Sequence, residues 1–179
     1  MSTECQNTKC PIKCCTNLLC QHWKSLIVFV LIVLAIGLSN SAATFPSVHE
    51  WYPTLKRPSW TPPNWLFAPV WTVLYIFLAV SGWLLWAKTG GSVAEKLKTQ
   101  PIAFYFIQLA LNAAWSYLFF AMKNPLYGMI CSSALLLSAF LTMFFSNKYN
   151  HKCAAALFIP YCLWLSYAAQ LNIAIVILN

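Results

Sequence analysis

Charged residues are missing from five long stretches of this chain, residues 25–49, 58–87, 99–122, 124–147 and 153–179. Each stretch can hold the roughly 20 apolar residues that a helix needs to cross a bilayer. The apolar runs, such as LIVFVLIVLAIGL from Leu26, lack the alternation of polar and apolar residues that strands of a membrane barrel show. We therefore predict an all-α membrane protein, a five-transmembrane-helix bundle. The expected helices cover about residues 25–43, 65–87, 102–122, 126–145 and 154–178.

Only short loops remain between the predicted helices, so the chain divides into a tail of residues 1–22 and one membrane domain of residues 23–179. The tail holds five of the eight cysteines, and we expect it to be disordered. The cysteines lack a clean pair of C-x-x-C elements, which gives little support to a zinc site. Acylation of Cys20, which precedes the first apolar stretch, stays open.

The formal charge of +8 does not predict nucleic-acid binding, because the 11 basic residues are spread over the loops. Their distribution instead predicts the orientation in the membrane. One side holds Lys9, Lys13, Lys24, Lys88, Lys96, Lys98, Lys148 and Lys152, and the other holds Lys56, Arg57 and Lys123. Basic loops stay in the cytoplasm, so we predict a cytoplasmic N-terminus. A bacterial inner membrane and a mitochondrial outer membrane both fit.

The first apolar stretch has a second interpretation. Lys24, the following apolar run and the small residues Ser39–Ala43 also fit a cleavable signal peptide. The long tail before this stretch favours a membrane-spanning helix, and the two interpretations differ in whether the segment joins the folded bundle.

Residues 51–71 combine five prolines with four tryptophans between two apolar stretches. Proline prevents a continuous helix, and tryptophan offers a large flat apolar face with one N–H donor. We expect this segment to lie against the membrane face and to cover a flat molecule. The tryptophans closer to the span ends, Trp23, Trp65, Trp83 and Trp86, are interpreted as interfacial anchors.

Amides and aromatic residues recur at helical spacing inside the predicted spans. Gln108, Asn112 and Trp115 share one face of the third span, and Tyr161, Trp164, Ala168, Leu171 and Asn172 share one face of the fifth. Trp71 and Tyr75 follow the same stripe in the second span. Polar side chains in lipid turn toward the bundle interior. We therefore predict an aromatic cavity with a few amide and hydroxyl groups, the usual make-up of a small-molecule site.

Common catalytic motifs are missing from the sequence, and the charge-free stretches hold no acid or base that could couple transport to protons or ions. These absences argue against an ion-coupled carrier and against acid–base catalysis. No cofactor is expected to be required.

At these residues the chain resembles the TspO/MBR family of tryptophan-rich sensory and translocator proteins. The matching elements are W-Y-x-x-L-x-x-P-x-W-x-P-P from Trp51, P-V-W-x-x-L-Y from Pro69, Q-L-A-L-N-x-A-W from Gln108 and P-Y-x-x-W from Pro160. The match covers about residues 45–175 in the same order. It implies a five-helix bundle, often a homodimer, with a pocket under the first loop.

The resemblance also implies the ligand and its contacts. The expected ligand is protoporphyrin IX, a haem-like tetrapyrrole or a similar flat hydrophobic molecule such as a benzodiazepine-type drug. By position, the family's pocket residues correspond to Trp71, Asn112, Trp115, Trp164 and Ala168, and less specifically to Phe67 and Leu171. Tyr127 stands where the family has a pocket tryptophan near the start of the fourth helix. Trp51 and Tyr161 complete the predicted ligand-binding set.

Three functions follow as alternatives. The first is a membrane binding protein or sensor for porphyrins, with a role in tetrapyrrole transport or regulation. The second is an enzyme that degrades porphyrins in light, and the third is a membrane scaffold without a saturable ligand. The sterol motif of the family's animal members is missing, since residues 171–179 contain neither tyrosine nor a basic residue.

Overall fold

The computed structural model describes residues 11–179, with side chains described from Leu18 onward. Its helices are α1 (Pro11–Glu50), α2 (Phe67–Lys88), α3 (Val93–Lys98), α4 (Gln100–Ser116), α5 (Pro125–Lys148) and α6 (Lys152–Leu178). All but the short α3 are long and apolar enough to cross a membrane, so within the described residues the prediction of five spans is confirmed. A π-helical turn, Tyr117–Ala121, prolongs α4.

Helix α1 is longer at both ends than the sequence predicts. It starts at Pro11, breaks at His22, where φ is −125° and ψ is 20°, and continues past Pro46 to Glu50. Tertiary contacts hold its last turns, since the Ser47 hydroxyl donates to the Phe120 carbonyl at 2.8 Å. Residues 1–10, with Cys5 and Cys10, lie outside the described residues, so the predicted disorder of the tail stays a prediction there.

The five spanning helices form a closed ring. Helix α1 packs against α2 and α4, α2 packs against α6, α6 against α5, and α5 against α4. The core inside this ring includes Phe29 and Val33 of α1. Because α1 contributes core residues like any other span, the structure favours a membrane-spanning helix over the signal-peptide interpretation.

Close contact between the helices of the bundle depends on Gly82 of α2. The Tyr105 ring of α4 lies directly over this glycine, and a Cβ at this position would also come within 2.8 Å of the Phe29 ring. The Tyr105 hydroxyl donates to the carbonyl of Leu78 at 2.9 Å, one turn earlier on α2. Gly82 therefore allows α1, α2 and α4 to meet around one tyrosine.

At the end of the bundle where α1 begins, the break at His22 is tied to α2. The Trp83 indole N–H donates to the His22 carbonyl at 3.0 Å. Trp83 is only 6% exposed, so its interpretation as an interfacial anchor is wrong. The break makes the His22 carbonyl available to a neighbouring helix, and the Trp83 indole N–H of α2 donates to it.

Helix α3 at the same end starts with a capping box. The Ser92 hydroxyl accepts from the Glu95 backbone N–H, and the Glu95 carboxylate accepts from the Ser92 N–H at 2.7 Å. These bonds from Ser92 lower the pKa of the Glu95 carboxyl. The Lys96 ammonium donates to the Trp86 carbonyl at 3.0 Å, which fixes α3 to the end of α2.

Candidate functional site

A chain of buried hydrogen bonds occupies the centre of the bundle. Asn112 of α4 donates through Nδ2 to the Tyr161 hydroxyl of α6 at 3.1 Å, and this hydroxyl donates to Gln108 Oε1 at 2.9 Å. Asn112 Oδ1 accepts from the Tyr75 hydroxyl and from Asn40 Nδ2, both at 3.1 Å. These hydrogen bonds join α1, α2, α4 and α6 at one level of the bundle.

Asn40 is the one residue of this hydrogen-bond network that the sequence analysis did not place in the site. The predicted first span, residues 25–43, puts Asn40 near its end, whereas Asn40 lies inside α1 and is 9% exposed. Its amide also donates to the Tyr75 hydroxyl at 3.0 Å. An isolated amide within an apolar stretch was the available signal, since such groups turn toward partners in the bundle.

Aromatic rings from α2 and α6 surround this polar centre. The Trp71 ring lies 5.4 Å from the Tyr75 ring and 6.4 Å from the Tyr161 ring, between centroids. The Phe67 ring meets the Trp164 ring edge-on at 5.7 Å. The first turns of α2 thus place two predicted site residues, Phe67 and Trp71, beside α6.

A second aromatic cluster lies under the loop that connects α1 with α2, residues 51–66, which we call the Pro-Trp loop. Trp115 stacks on Phe119 at 5.4 Å with 10° between the ring planes, and Trp51 meets Phe119 edge-on at 5.4 Å. Leu171 is buried in this cluster, and Phe67 packs against it as well. Phe67 therefore links this cluster to Trp164.

The contacts above bring together the predicted site residues other than Ala168 and Tyr127. Ala168, which is half-buried, accepts a hydrogen bond at its carbonyl from Asn172 Nδ2 at 2.8 Å, one turn from Trp164. Tyr127 lies in the first turn of α5, and 43% of its side chain is exposed. The aromatic contacts of the described residues do not join it to the other rings. Ligand binding by all of the predicted site residues stays a prediction.

Several buried polar atoms around these rings have no hydrogen-bond partner among the described residues. They include the indole N–H groups of Trp115 and Trp164 and the Oδ1 atom of Asn172. A buried donor or acceptor without a partner costs about 1–3 kcal/mol. With Gln108 Nε2 and Asn40 Oδ1, three buried donors and two buried acceptors have no hydrogen-bond partner among the described residues.

The Pro-Trp loop is bound to α6 and to Asn179, which follows this helix. The Asn179 side chain binds the Lys56 backbone twice, accepting from its N–H and donating to its carbonyl, each at 3.0 Å. The Tyr167 hydroxyl donates to the Trp60 carbonyl at 2.7 Å, and the two rings meet edge-on at 5.5 Å. The loop consequently lies over the aromatic clusters. This is the position in which the sequence predicts that it covers a flat molecule.

Basic groups lie on the outer side of this loop. The Arg57 guanidinium stands 4.8 Å from the centre of the Tyr52 ring, and burial raises the pKa of the Tyr52 phenol despite the opposing effect of Arg57. Tyr52 therefore stays neutral and presents its ring face to a cation. Arg57 also borders an open recess of about 470 Å³, which the loop residues Leu55, Pro58, Thr61, Pro62, Pro63 and Asn64 complete.

Within the described part of the chain, no three side chains of His, Cys, Asp or Glu converge. The groups that the site offers are aromatic faces, indole N–H donors, amides and the hydroxyl groups of Tyr75 and Tyr161.

Comparison with known proteins agrees with this architecture. The model of the TspO/MBR family matches residues 29–178. The chain is 40% identical to the tryptophan-rich protein TspO of Archaeoglobus fulgidus over 154 residues, which cover 86% of this chain and 96% of that protein. It is 31% identical to the translocator protein of Bos taurus over 152 residues, which cover 84% and 87% of the two chains. The chain therefore belongs to the TspO/MBR family of membrane proteins.

Proposed function

We propose that this protein binds protoporphyrin IX or a similar flat hydrophobic molecule within the bundle, beneath the Pro-Trp loop, and serves as a porphyrin-binding sensor or carrier. The unpartnered indole N–H groups of Trp115 and Trp164 carry this proposal, because they lie among aromatic faces and need acceptors. The central hydrogen-bond chain supports it by holding four helices around the same region.

Stacking supplies most of the attraction in this proposal. A base stacked on an aromatic side chain contributes about 1–3 kcal/mol, and a tetrapyrrole has a larger face than a base. The Phe67 and Trp164 rings meet edge-on, so a ligand that stacks on either ring requires that ring to turn away from the other. The propionate groups stay at the rim, where Lys56 and Arg57 provide charge-assisted hydrogen bonds.

The proposed orientation puts the N-terminus in the cytoplasm and the Pro-Trp loop on the opposite side. Ligand would then enter from the side of the loop. No cofactor is required, because the proposed interactions use only the side chains of this chain.

A titration of purified protein in detergent with protoporphyrin IX tests the proposal. We expect saturable quenching of tryptophan fluorescence. The double variant Trp71→Ala, Trp164→Ala should raise the dissociation constant about thirtyfold or more, because it removes two stacking contacts.

Trp65→Ala is the matched control, since Trp65 is 71% exposed and lies at the edge of the loop. It should bind like the unchanged chain. If the double variant and the control bound protoporphyrin IX with equal affinity, the assignment of Trp71 and Trp164 to the binding site would be refuted. Absorption spectra in light of porphyrin bound to the unchanged chain, compared with the same porphyrin free in detergent, distinguish a binding protein from a degrading enzyme, because only an enzyme bleaches the ligand faster than it bleaches when free.

A further inference from the structure

One end of the bundle carries a lysine at the boundary of every charge-free stretch. At the end where α1 begins, each of the five stretches borders directly on one lysine. We call these residues the lysine ring, and they are Lys24, Lys88, Lys98, Lys148 and Lys152. Charged side chains are costly inside the apolar layer of a membrane. The lysine ring therefore marks the level at which the lipid head groups begin.

The protein supplies little negative charge to balance this ring. Glu95 is the only acidic residue at this end in the part of the chain that the structure describes. Its carboxylate accepts from the Ser92 N–H at 2.7 Å and from the Ser92 hydroxyl at 3.0 Å. Basic residues at the membrane surface attract anionic lipids. Anionic head groups are thus the nearest source of the missing counter-charge.

The turn between α5 and α6 joins part of the ring to the start of α4. The Tyr149 hydroxyl donates to Gln100 Oε1 at 3.0 Å. Lys148 directly precedes Tyr149, and its ammonium stands 6.0 Å from the centre of the Tyr149 ring and 5.7 Å from that of the Phe145 ring. Lys98 lies two residues before Gln100. Two lysines of the ring thus flank the hydrogen bond that joins α4 to the end of α5.

Aromatic rings cover the surface of α4 and α5 next to Lys148. The Phe104 and Phe145 rings stack at 5.5 Å with 5° between their planes. Both are half-buried, and neither belongs to the two buried core clusters of the described residues. Phe144 meets Phe145 edge-on at 5.3 Å and is 60% exposed. This outward apolar surface lies on the membrane side of the lysine, where a phospholipid has its acyl chains.

We propose that the outer surface of α4 and α5 binds an anionic phospholipid. Its phosphate lies against Lys98 and Lys148, because an ammonium group makes charge-assisted hydrogen bonds to phosphate oxygens. Its acyl chain lies along the stacked rings of Phe104 and Phe145. Phosphatidylglycerol and phosphatidylcholine share the phosphate, but only phosphatidylglycerol keeps a net negative charge, so the lysines distinguish the two. The site is separate from the region beneath the Pro-Trp loop, which lies at the opposite end of the bundle.

Native mass spectrometry of the full chain in detergent, with equal amounts of these two lipids and the same acyl chains, tests the proposal. We expect the unchanged chain to prefer phosphatidylglycerol. Lys148→Gln should weaken phosphatidylglycerol binding about fivefold, the effect of one basic residue at an anionic surface, and leave phosphatidylcholine binding unchanged. Lys123→Gln is the matched control, since it removes one charge at the opposite end. Equal phosphatidylglycerol binding by both variants, or no preference in the unchanged chain, would overturn the proposal.

Two further measurements separate a lipid from a soluble phosphate. Phe145→Ala should weaken the binding of both lipids by a similar factor, because it removes the contact with the acyl chain. Glycerophosphoglycerol, which is the head group without acyl chains, should not displace bound phosphatidylglycerol at equal concentration. Displacement by this compound, or lipid binding unaffected by Phe145→Ala, would assign the lysines to a soluble anion and contradict the proposal.

Discussion

At the scale of single residues, Gly82 gives the sharpest prediction. Alanine normally improves a helix by about 0.5–1 kcal/mol over glycine. In Gly82→Ala the new Cβ meets the Tyr105 ring and comes within 2.8 Å of the Phe29 ring. Overpacking of this kind costs about 1–3 kcal/mol. We expect a lower midpoint of thermal unfolding in detergent.

Gly90→Ala is the control for this substitution. No atom lies within 4 Å of a Cβ at position 90, in the turn between α2 and α3. The same change of residue should leave the unfolding midpoint equal or slightly higher, since alanine restricts the unfolded chain. A lower midpoint in Gly90→Ala than in Gly82→Ala would contradict the steric argument.

Residue identities allowed part of the site to be predicted. Gln108, Asn112 and Tyr161 were placed inward from helical spacing, and the structure buries all three. Spacing could not show that Asn40 binds Asn112, because contacts between α1 and α4 depend on how the helices pack. Trp83 was misread for the same reason, since its partner is a carbonyl freed by the break at His22.

At the scale of elements, the position of the Pro-Trp loop should depend on Asn179. In Asn179→Ala both bonds between this side chain and the Lys56 backbone are lost. We expect faster hydrogen exchange in residues 51–60, by roughly an order of magnitude at the Lys56 amide, since each bond contributes about 1 kcal/mol. Mass spectrometry of the loop peptides in detergent measures this change.

Asn64→Ala is the control within the same loop, because Asn64 is exposed and lies apart from the bonds to α6. Its exchange pattern over residues 51–60 should match that of the unchanged chain. If Asn179→Ala exchanged like this control, the bond to α6 would not hold the loop.

The helices themselves were predictable to different degrees. Charge-free stretches gave five spans, because lipid excludes charges and requires paired backbone groups. The end of α1 was placed too early, at residue 43, whereas the helix continues through Pro46 to Glu50. The contact of Ser47 with Phe120 stabilises the last turns, and this contact exists only in the folded bundle.

At the scale of the whole molecule, the ring of helices separates two differently charged ends. Lys88, Lys96 and Lys148 lie at the end where α1 begins, together with Lys24, Lys98 and Lys152. Among the described residues, the opposite end holds only Lys56, Arg57 and Lys123 as Lys or Arg side chains. This asymmetry should orient the protein, because basic loops resist translocation.

We therefore expect Cys20 and Cys153, which are exposed at the end with more lysines, to face the cytoplasm. A membrane-impermeant thiol reagent added to bacterial spheroplasts should not label the unchanged chain. It should label Ser59→Cys, which puts a thiol on the exposed face of the Pro-Trp loop. Permeabilised membranes are the control, since both proteins should then react. Labelling of the unchanged chain in intact spheroplasts would reverse the orientation, and ligand entry under the loop would then be from the cytoplasm.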